Sequence, residues 1–320
     1  MIDCMLKDKL LQNKGQYLFY GLTPPKYTTD KEKIQAIADK QIARLRDIKL
    51  DALVLYDIQD ESSRTDVPRP FPYMQTLDPG VYSAQYLTAL DIPKIVYKSV
   101  GKFTPDSFQD WLKENPNKIE YSVFVGSPSA QENGLTLQEA YAARLASASE
   151  VLIGGVTIPE RHFKKEDEHL RVTRKIENGC SFFISQCVYS IDNAKDFLSD
   201  YYYHCLETKT PLAPIIFTLT PCGSLKTLQF MEWLGIYIPK WLRNDLKHSE
   251  NILFRSVDIC KTVAKELLEY SRVKGIPIGF NIESVAIRKA EIDASIELLR
   301  EIEMMQRASA LKNELLAGNS

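Results

Sequence analysis

Residues 151–162 read Val-Leu-Ile-Gly-Gly-Val-Thr-Ile-Pro-Glu-Arg-His, and an amphipathic stretch, Glu166–Glu177, follows directly. A short apolar run bounded by glycine and proline, then a segment of helical spacing, reads as one strand–helix unit. The same unit recurs in both directions. Short β-rich runs lie at Tyr17–Leu22, Ala52–Tyr56, Lys94–Tyr97, Tyr121–Val125, Val151–Gly155, Phe182–Gln186, Pro214–Leu219 and Pro277–Asn281. Helical segments separate them at Asp30–Asp47, Asp106–Lys113, Thr136–Ala146, Glu166–Glu177, Asn193–Leu206, Leu225–Leu234 and Asn251–Lys274, and Ile287–Met305 closes the series. Strict alternation predicts a parallel sheet, and eight such units fit a closed (β/α)8 barrel, a TIM barrel of α/β class. A doubly wound sheet is the alternative. It would normally carry a glycine-rich phosphate turn, and neither G-x-G-x-x-G nor G-x-x-x-x-G-K-[ST] occurs. The expectation is one barrel domain over residues 1–320, with a helical tail from about 303 to 320.

Composition agrees. Of 320 residues 44% are hydrophobic and 26% charged, which excludes a disordered or fibrous chain. Forty Lys and Arg against 42 Asp and Glu leave a formal charge of −2, so no field gathers nucleic acid or an anionic membrane. Mean hydropathy is −0.23, and no apolar run approaches the ~20 residues that span a bilayer. The start, Met1-Ile2-Asp3-Cys4, shows no basic then apolar export signal, and the six cysteines form no C-x-x-C pair. Reduced thiols in a cytoplasmic protein are expected.

In a barrel, chemistry gathers where the strands end. Five places stand out there. His162 follows a strand end with Glu160 and Arg161, and is either a solvated loop residue or a ligand. Glu168, Arg171 and Lys175, with Arg174 beside them, share a helical face: an ion-paired solvent face, or a cationic clamp for a diphosphate. Gln186 ends the sixth strand as an amide able to read a heterocycle edge. Cys222 lacks an activating neighbour and reads as a packing residue. Glu283, after Asn281, either pairs with a following base or faces the barrel axis as an acid. The long Pro-rich loop Gln59–Gly80 reads as a lid. Among the four histidines no H-E-x-x-H or H-x-H spacing appears, and no G-x-S-x-G elbow, so no metal site is expected.

In order and spacing these pieces resemble the methylenetetrahydrofolate reductase family of FAD-dependent (β/α)8 barrels. Thr23-Pro24-Pro25 resembles its strand-one Pro-Pro, and Pro159-Glu160-Arg161-His162 its Pro-Glu-x-His. Arg174-Lys175, Gly179-Cys180 and Ser185-Gln186 resemble its basic helix and the strand after it, and Ile238-Pro239-Lys240-Trp241 its Ile-Pro-x-Trp. The resemblance implies that His162, Glu168, Arg171, Arg174 and Lys175 hold FAD, with Gly126 and Ser127 beside the flavin. It also implies that Gln186, Thr227, Met231 and Asn281 meet a folate substrate. The activity implied is hydride transfer from reduced FAD to 5,10-methylenetetrahydrofolate in one-carbon metabolism, with NAD(P)H as candidate donor. A homo-oligomer or a partner protein is left open.

Two departures define this chain. The family's strand-one acid falls on Gly21, and its strand-four Arg-Gly-Asp falls on Val125-Gly126-Ser127. Because strand eight closes against strand one, Glu283 is expected beside Gly21, where it takes over the acid role. Asp57 and Glu61 are the second candidates. The departures keep two alternatives open: folate-dependent methyl or methylene transfer, and a non-catalytic flavin- or folate-binding subunit working with a partner.

Overall fold

A computed structural model describes residues 2–13, 16–127 and 134–317, with the side chains of 2–5, 64 and 313–317 left aside. Residues 318–320 of the expected tail lie outside the described residues. The chain runs α1 (Ile2–Leu11), β1 (Tyr17–Leu22), α2 (Lys31–Leu45), β2 (Ala52–Leu55), α3 (Pro79–Tyr86), β3 (Lys94–Ser99) and α4 (Pro105–Glu114). It continues with β4 (Tyr121–Val125), α5 (Leu137–Ala146), β5 (Leu152–Thr157), α6 (Pro159–Lys165), α7 (Glu168–Glu177), β6 (Cys180–Cys187) and α8 (Ile191–Thr208). Then come β7 (Ile215–Leu219), α9 (Leu225–Trp233), α10 (Lys240–His248), α11 (Ile252–Lys274), β8 (Ile278–Glu283) and α12 (Lys289–Ala317).

The strands close in sequence order, β1 to β8, with β8 pairing back on β1 in parallel. The expected TIM barrel is present, and each strand run read from the sequence coincides with a barrel strand.

Alternate residues of the strands face opposite ways. Tyr17, Phe19, Val54, Ile95, Tyr121, Val123, Phe182, Ile184 and Ile216 form one buried cluster inside the barrel. Leu18, Tyr20, Leu53, Phe124, Phe183 and Phe217 belong to the larger cluster between strands and helices. Leu6 and Leu10 of α1 join the inner cluster and plug the end away from the strand C-termini. There Lys9 Nζ pairs with Asp51 Oδ1 at 2.7 Å, while Asp51 Oδ2 accepts from Leu18 N at 2.9 Å.

Gly154 and Gly155 are not at a strand end, as expected, but inside β5. A Cβ on Gly154 would stand 2.5 Å from the Phe182 ring, and one on Gly155 2.8 Å from the Phe183 ring. The two glycines make room for adjacent β6 aromatics, one on each face of the sheet.

The expected tail is part of a longer element. α12 runs on past 303, buries Ile302 and returns under the barrel, where Gln306 Nε2 donates to Tyr17 O at 3.0 Å.

Candidate functional site

At the C-terminal ends of the strands a cavity of about 400 Å³ opens in the barrel mouth, lined from the ends of all eight strands. Gly21, Tyr56, Tyr97, Gln186, Arg69, Trp233 and Glu283 are among its lining residues. Its size and mixed lining are those of small-ligand sites.

The strand register builds its acid. Gly21 is the direct partner of Glu283 in the β1–β8 pair, the neighbourhood expected from barrel closure. A Cβ on Gly21 would lie 2.8 Å from the Tyr56 hydroxyl and 3.1 Å from Glu283 Cβ, so the missing side chain is what admits both. Glu283 Oε1 accepts from Thr220 Oγ1 at 3.0 Å. Tyr56 also hydrogen-bonds the carboxyl group. Burial, the largest influence, raises the Glu283 pKa above the ordinary carboxylate value, against the lowering effect of those two hydroxyls. The carboxyl group on the pocket wall thus holds its proton more tightly than a free glutamate does.

Behind it stands a relay of fixed polar groups. Asn281 Nδ2 donates to Tyr56 Oη at 2.8 Å and to Thr218 Oγ1 at 3.1 Å, and Thr218 Oγ1 donates to Ser185 O at 2.7 Å. Asn281 is fully buried. It therefore reaches the pocket through Tyr56, which corrects its expected direct contact with substrate. Gln186 does line the pocket, its Nε2 tethered to Leu234 O at 3.1 Å. Asp57 and Glu61 line it as well, but Asp57 is already committed to Ser99 N at 2.9 Å and Lys102 Nζ at 2.6 Å.

Thr227 and Met231, expected at the substrate, face inward from α9. Thr227 Oγ1 donates to the buried Glu291 at 2.8 Å, and Met231 is core. Their helix neighbours Phe230, Trp233 and Leu234 take the pocket face. Cys222 is buried, its thiol pushed up to about 12, as a packing residue should be.

The loop Gln59–Gly80 does lie over the mouth, but it is pinned rather than free. Lys26 and Thr76 form an antiparallel bridge, and Trp233 Nε1 donates to Val67 O at 2.9 Å. From this loop comes Arg69, which no motif marked. Its guanidinium carbon sits 5.0 Å from the Trp233 ring, 5.3 Å from Phe230 and 5.5 Å from Tyr73. Its Nε and Nη1 are buried without a hydrogen-bond partner. Such donors are costly unless something fills them. The signal in the sequence is a lone arginine in an aromatic, proline-rich run, Pro68-Arg69-Pro70-Phe71-Pro72-Tyr73.

The residues implied for FAD assemble differently. His162 is buried in α6 rather than at the mouth, its Nε2 donating to Asp200 of α8 at 3.0 Å. Glu168 is fully buried and holds the end of β5, accepting from Thr157 Oγ1 at 3.1 Å and Ile158 N at 2.9 Å, with Arg161 Nη1 3.3 Å away. Arg171 forms a two-point pair with Asp167 at 3.1 Å each. Lys175 turns inward to Val156 O at 2.5 Å, where burial holds its pKa below the ordinary value. Arg174 is exposed. Gly126 O accepts from Gln59 Nε2 at 3.1 Å, and Ser127 Oγ is buried without a partner.

A flavin dinucleotide needs free cationic forks at its diphosphate. Here Glu168, Arg171 and Lys175 are spent on the protein's own ends and turns, Arg174 is exposed, and none of them lines the cavity. As arranged, this set does not fit the cofactor's diphosphate.

Fold and pocket together define a TIM barrel whose mouth offers aromatic walls, a carboxyl group and a guanidinium with two unpartnered nitrogens. A family model described as methylenetetrahydrofolate reductase matches residues 144–280. A solved structure of an uncharacterized protein from Clostridium thermocellum, said to bind two copies of 5-methyl-5,6,7,8-tetrahydrofolic acid, is 48% identical. It superposes with a TM-score of 0.84 over 94% of this chain and 99% of that one. A 2,3-dimethylmalate lyase is more distant, at 13% identity and a TM-score of 0.42 over 99% of both chains. No curated protein matches the sequence. The chain belongs to the methylenetetrahydrofolate reductase family. Among the described residues no helix is long and apolar enough to cross a membrane.

Proposed function

We propose that this chain binds a reduced folate carrying a one-carbon unit in the mouth cavity and promotes transfer of that unit, with Glu283 as the general acid. The observation that carries the reading is the Glu283 carboxyl: half-buried on the pocket wall, raised in pKa and set where Gly21 leaves room for it. A methyl group leaves the pterin N5 only if that nitrogen takes a proton as the C–N bond breaks. A carboxyl group with a raised pKa beside a flat heterocycle is suited to supply it. The carbon passes to a nucleophile, which takes up the methyl without its former bonding pair, and tetrahydrofolate leaves as the neutral amine.

The folate bound by the Clostridium thermocellum relative supports the ligand class. Tyr56, Tyr97, Phe230 and Trp233 offer ring faces, Gln186 an amide for the pterin edge, and Arg69 a counter-charge for the glutamate carboxylate. The nucleophile is not the pocket cysteine. Burial pushes the Cys187 thiol well above its usual range, so it is no thiolate at neutral pH. An acceptor brought by a partner protein fits better. Reduction by a flavin hydride would use the same acid and pocket, but it lacks an assembled diphosphate site, so transfer is preferred.

The test is calorimetric titration of the purified chain with 5-methyltetrahydrofolate, followed by an assay for tetrahydrofolate release to thiol and reduced corrinoid acceptors. Binding, with release that falls in Glu283→Gln, supports the reading. Absence of binding, or undiminished release in Glu283→Gln, overturns it.

A further inference from the structure

Three of the four histidines, scattered at 162, 169 and 204, come together on the outer wall of the barrel, where α6, α7 and α8 meet. The His162 and His169 ring centroids are 5.3 Å apart, and those of His169 and His204 are also 5.3 Å apart. Asp200 and His204 stand one turn apart on α8, so both project to the same side of that helix. One donor atom from each of His162, His169 and Asp200 lies within 4.8 Å of the others.

Two features separate this cluster from an ordinary packed histidine. His162 is 3% exposed, yet its Nδ1 has no hydrogen-bond partner, and neither has the buried Nδ1 of His169. Buried ring nitrogens are normally satisfied. His162 meets the carboxylate of Asp200 with its other ring nitrogen, Nε2.

We propose that His162, His169 and Asp200 form a binding site for a divalent cation of the zinc class, with His204 as the adjacent fourth donor. Two imidazoles and a carboxylate are the ligands such ions prefer, with the remaining position taken by water or a further imidazole. Metal–ligand bonds of ~2.0–2.2 Å put neighbouring donors of a tetrahedral site roughly 3.3 Å apart. The His162 Nε2 to Asp200 Oδ2 separation, 3.0 Å, is already near that value. The Asp200 side chain is 53% exposed, so it can turn to complete the shell and gives the ion a way in.

Such an ion would clasp three helices. It would also steady the segment after β5, from which Ile158 reaches the mouth cavity. The site is separate from the cavity and does not depend on the folate reading.

The test uses the full chain, stripped with a chelator and titrated with Zn²⁺ by calorimetry and with Co²⁺ by visible absorption. One ion per chain is expected, with the d–d bands of a four-coordinate nitrogen–oxygen site and a melting temperature raised by several degrees. Asp200→Asn and His169→Ala should each weaken binding by at least about 10–100-fold, the loss that even outer-shell partners cause. His248→Ala, on exposed α10, should change nothing. Asp200 is exposed enough that its substitution leaves the fold intact, and a circular dichroism spectrum checks this. No bound ion in the wild-type chain, or equal affinity in all three variants, overturns the proposal.

Discussion

Two sides of one barrel have treated their polar residues in opposite ways. On the β8–β1–β2 side, Gly21 leaves room for Glu283 and Tyr56 at an open cavity, over which Arg69 keeps two nitrogens without a partner. On the β5–β6 side, Glu168, Arg171 and Lys175 are each closed onto a partner within the protein. The first side is arranged for a ligand. The second is arranged for its own stability, although its sequence motif is the one most like the family's. A motif fixes which residues are present, while register and rotamer decide whether they are free.

That contrast can be broken at five places. Glu283→Gln should cost ~10²–10⁴-fold in one-carbon transfer, the usual worth of a general acid, while 5-methyltetrahydrofolate still binds. A mere loss of affinity would place Glu283 among the binding groups instead. Glu168→Ala, on the opposite side, should cost about 3–5 kcal/mol in urea unfolding, because it strands Arg161 and two buried donors. Folate affinity measured on the folded fraction should be unchanged. Arg69→Ala should weaken folate binding by about 10–100-fold, as the loss of a charged hydrogen bond does. A folate lacking its glutamate should feel no such change.

Smaller effects follow. Burial, partly offset by backbone hydrogen bonds, raises Glu160 from 4.5 to about 8. The folded state thus keeps a proton that the unfolded chain gives up. Its contribution is complete below pH 4.5 and is lost as the pH climbs toward 8. Melting temperature should fall by several degrees across that window, and Glu160→Gln should flatten the slope. Least of all, Arg174→Ala on the exposed face of α7 should shift stability by no more than about 0.5 kcal/mol and leave folate affinity alone. A large loss of affinity there would restore the cationic clamp.

The fold was legible because it rests on periodicity. Apolar runs such as Tyr17–Leu22 and Tyr121–Val125 keep the same limits in the barrel. Closure also made the Gly21–Glu283 neighbourhood readable, since a ring of eight leaves strand eight only one free neighbour. Other parts were hidden for physical reasons. The helical spacing of Glu168, Arg171 and Lys175 defines a face without saying what it meets. Pro159 starts a short helix, α6, that carries His162 away from the mouth, where a loop would have left it there. Thr227 and Met231 lie on the right helix but on its inner side. Arg69 and the histidine cluster depend on contacts between elements far apart in sequence, which spacing cannot express.

Gly21 also ties two positions together. A side chain there would bring its Cβ to 2.8–2.9 Å from the Tyr56 ring and hydroxyl. Tyr56 would have to move or shrink to admit it, and either change would disturb the hydrogen bonds around Glu283 and Asn281. Residue 21 and residue 56 therefore behave as a single steric unit, and a substitution at one is expected to be tolerated only with a compensating substitution at the other.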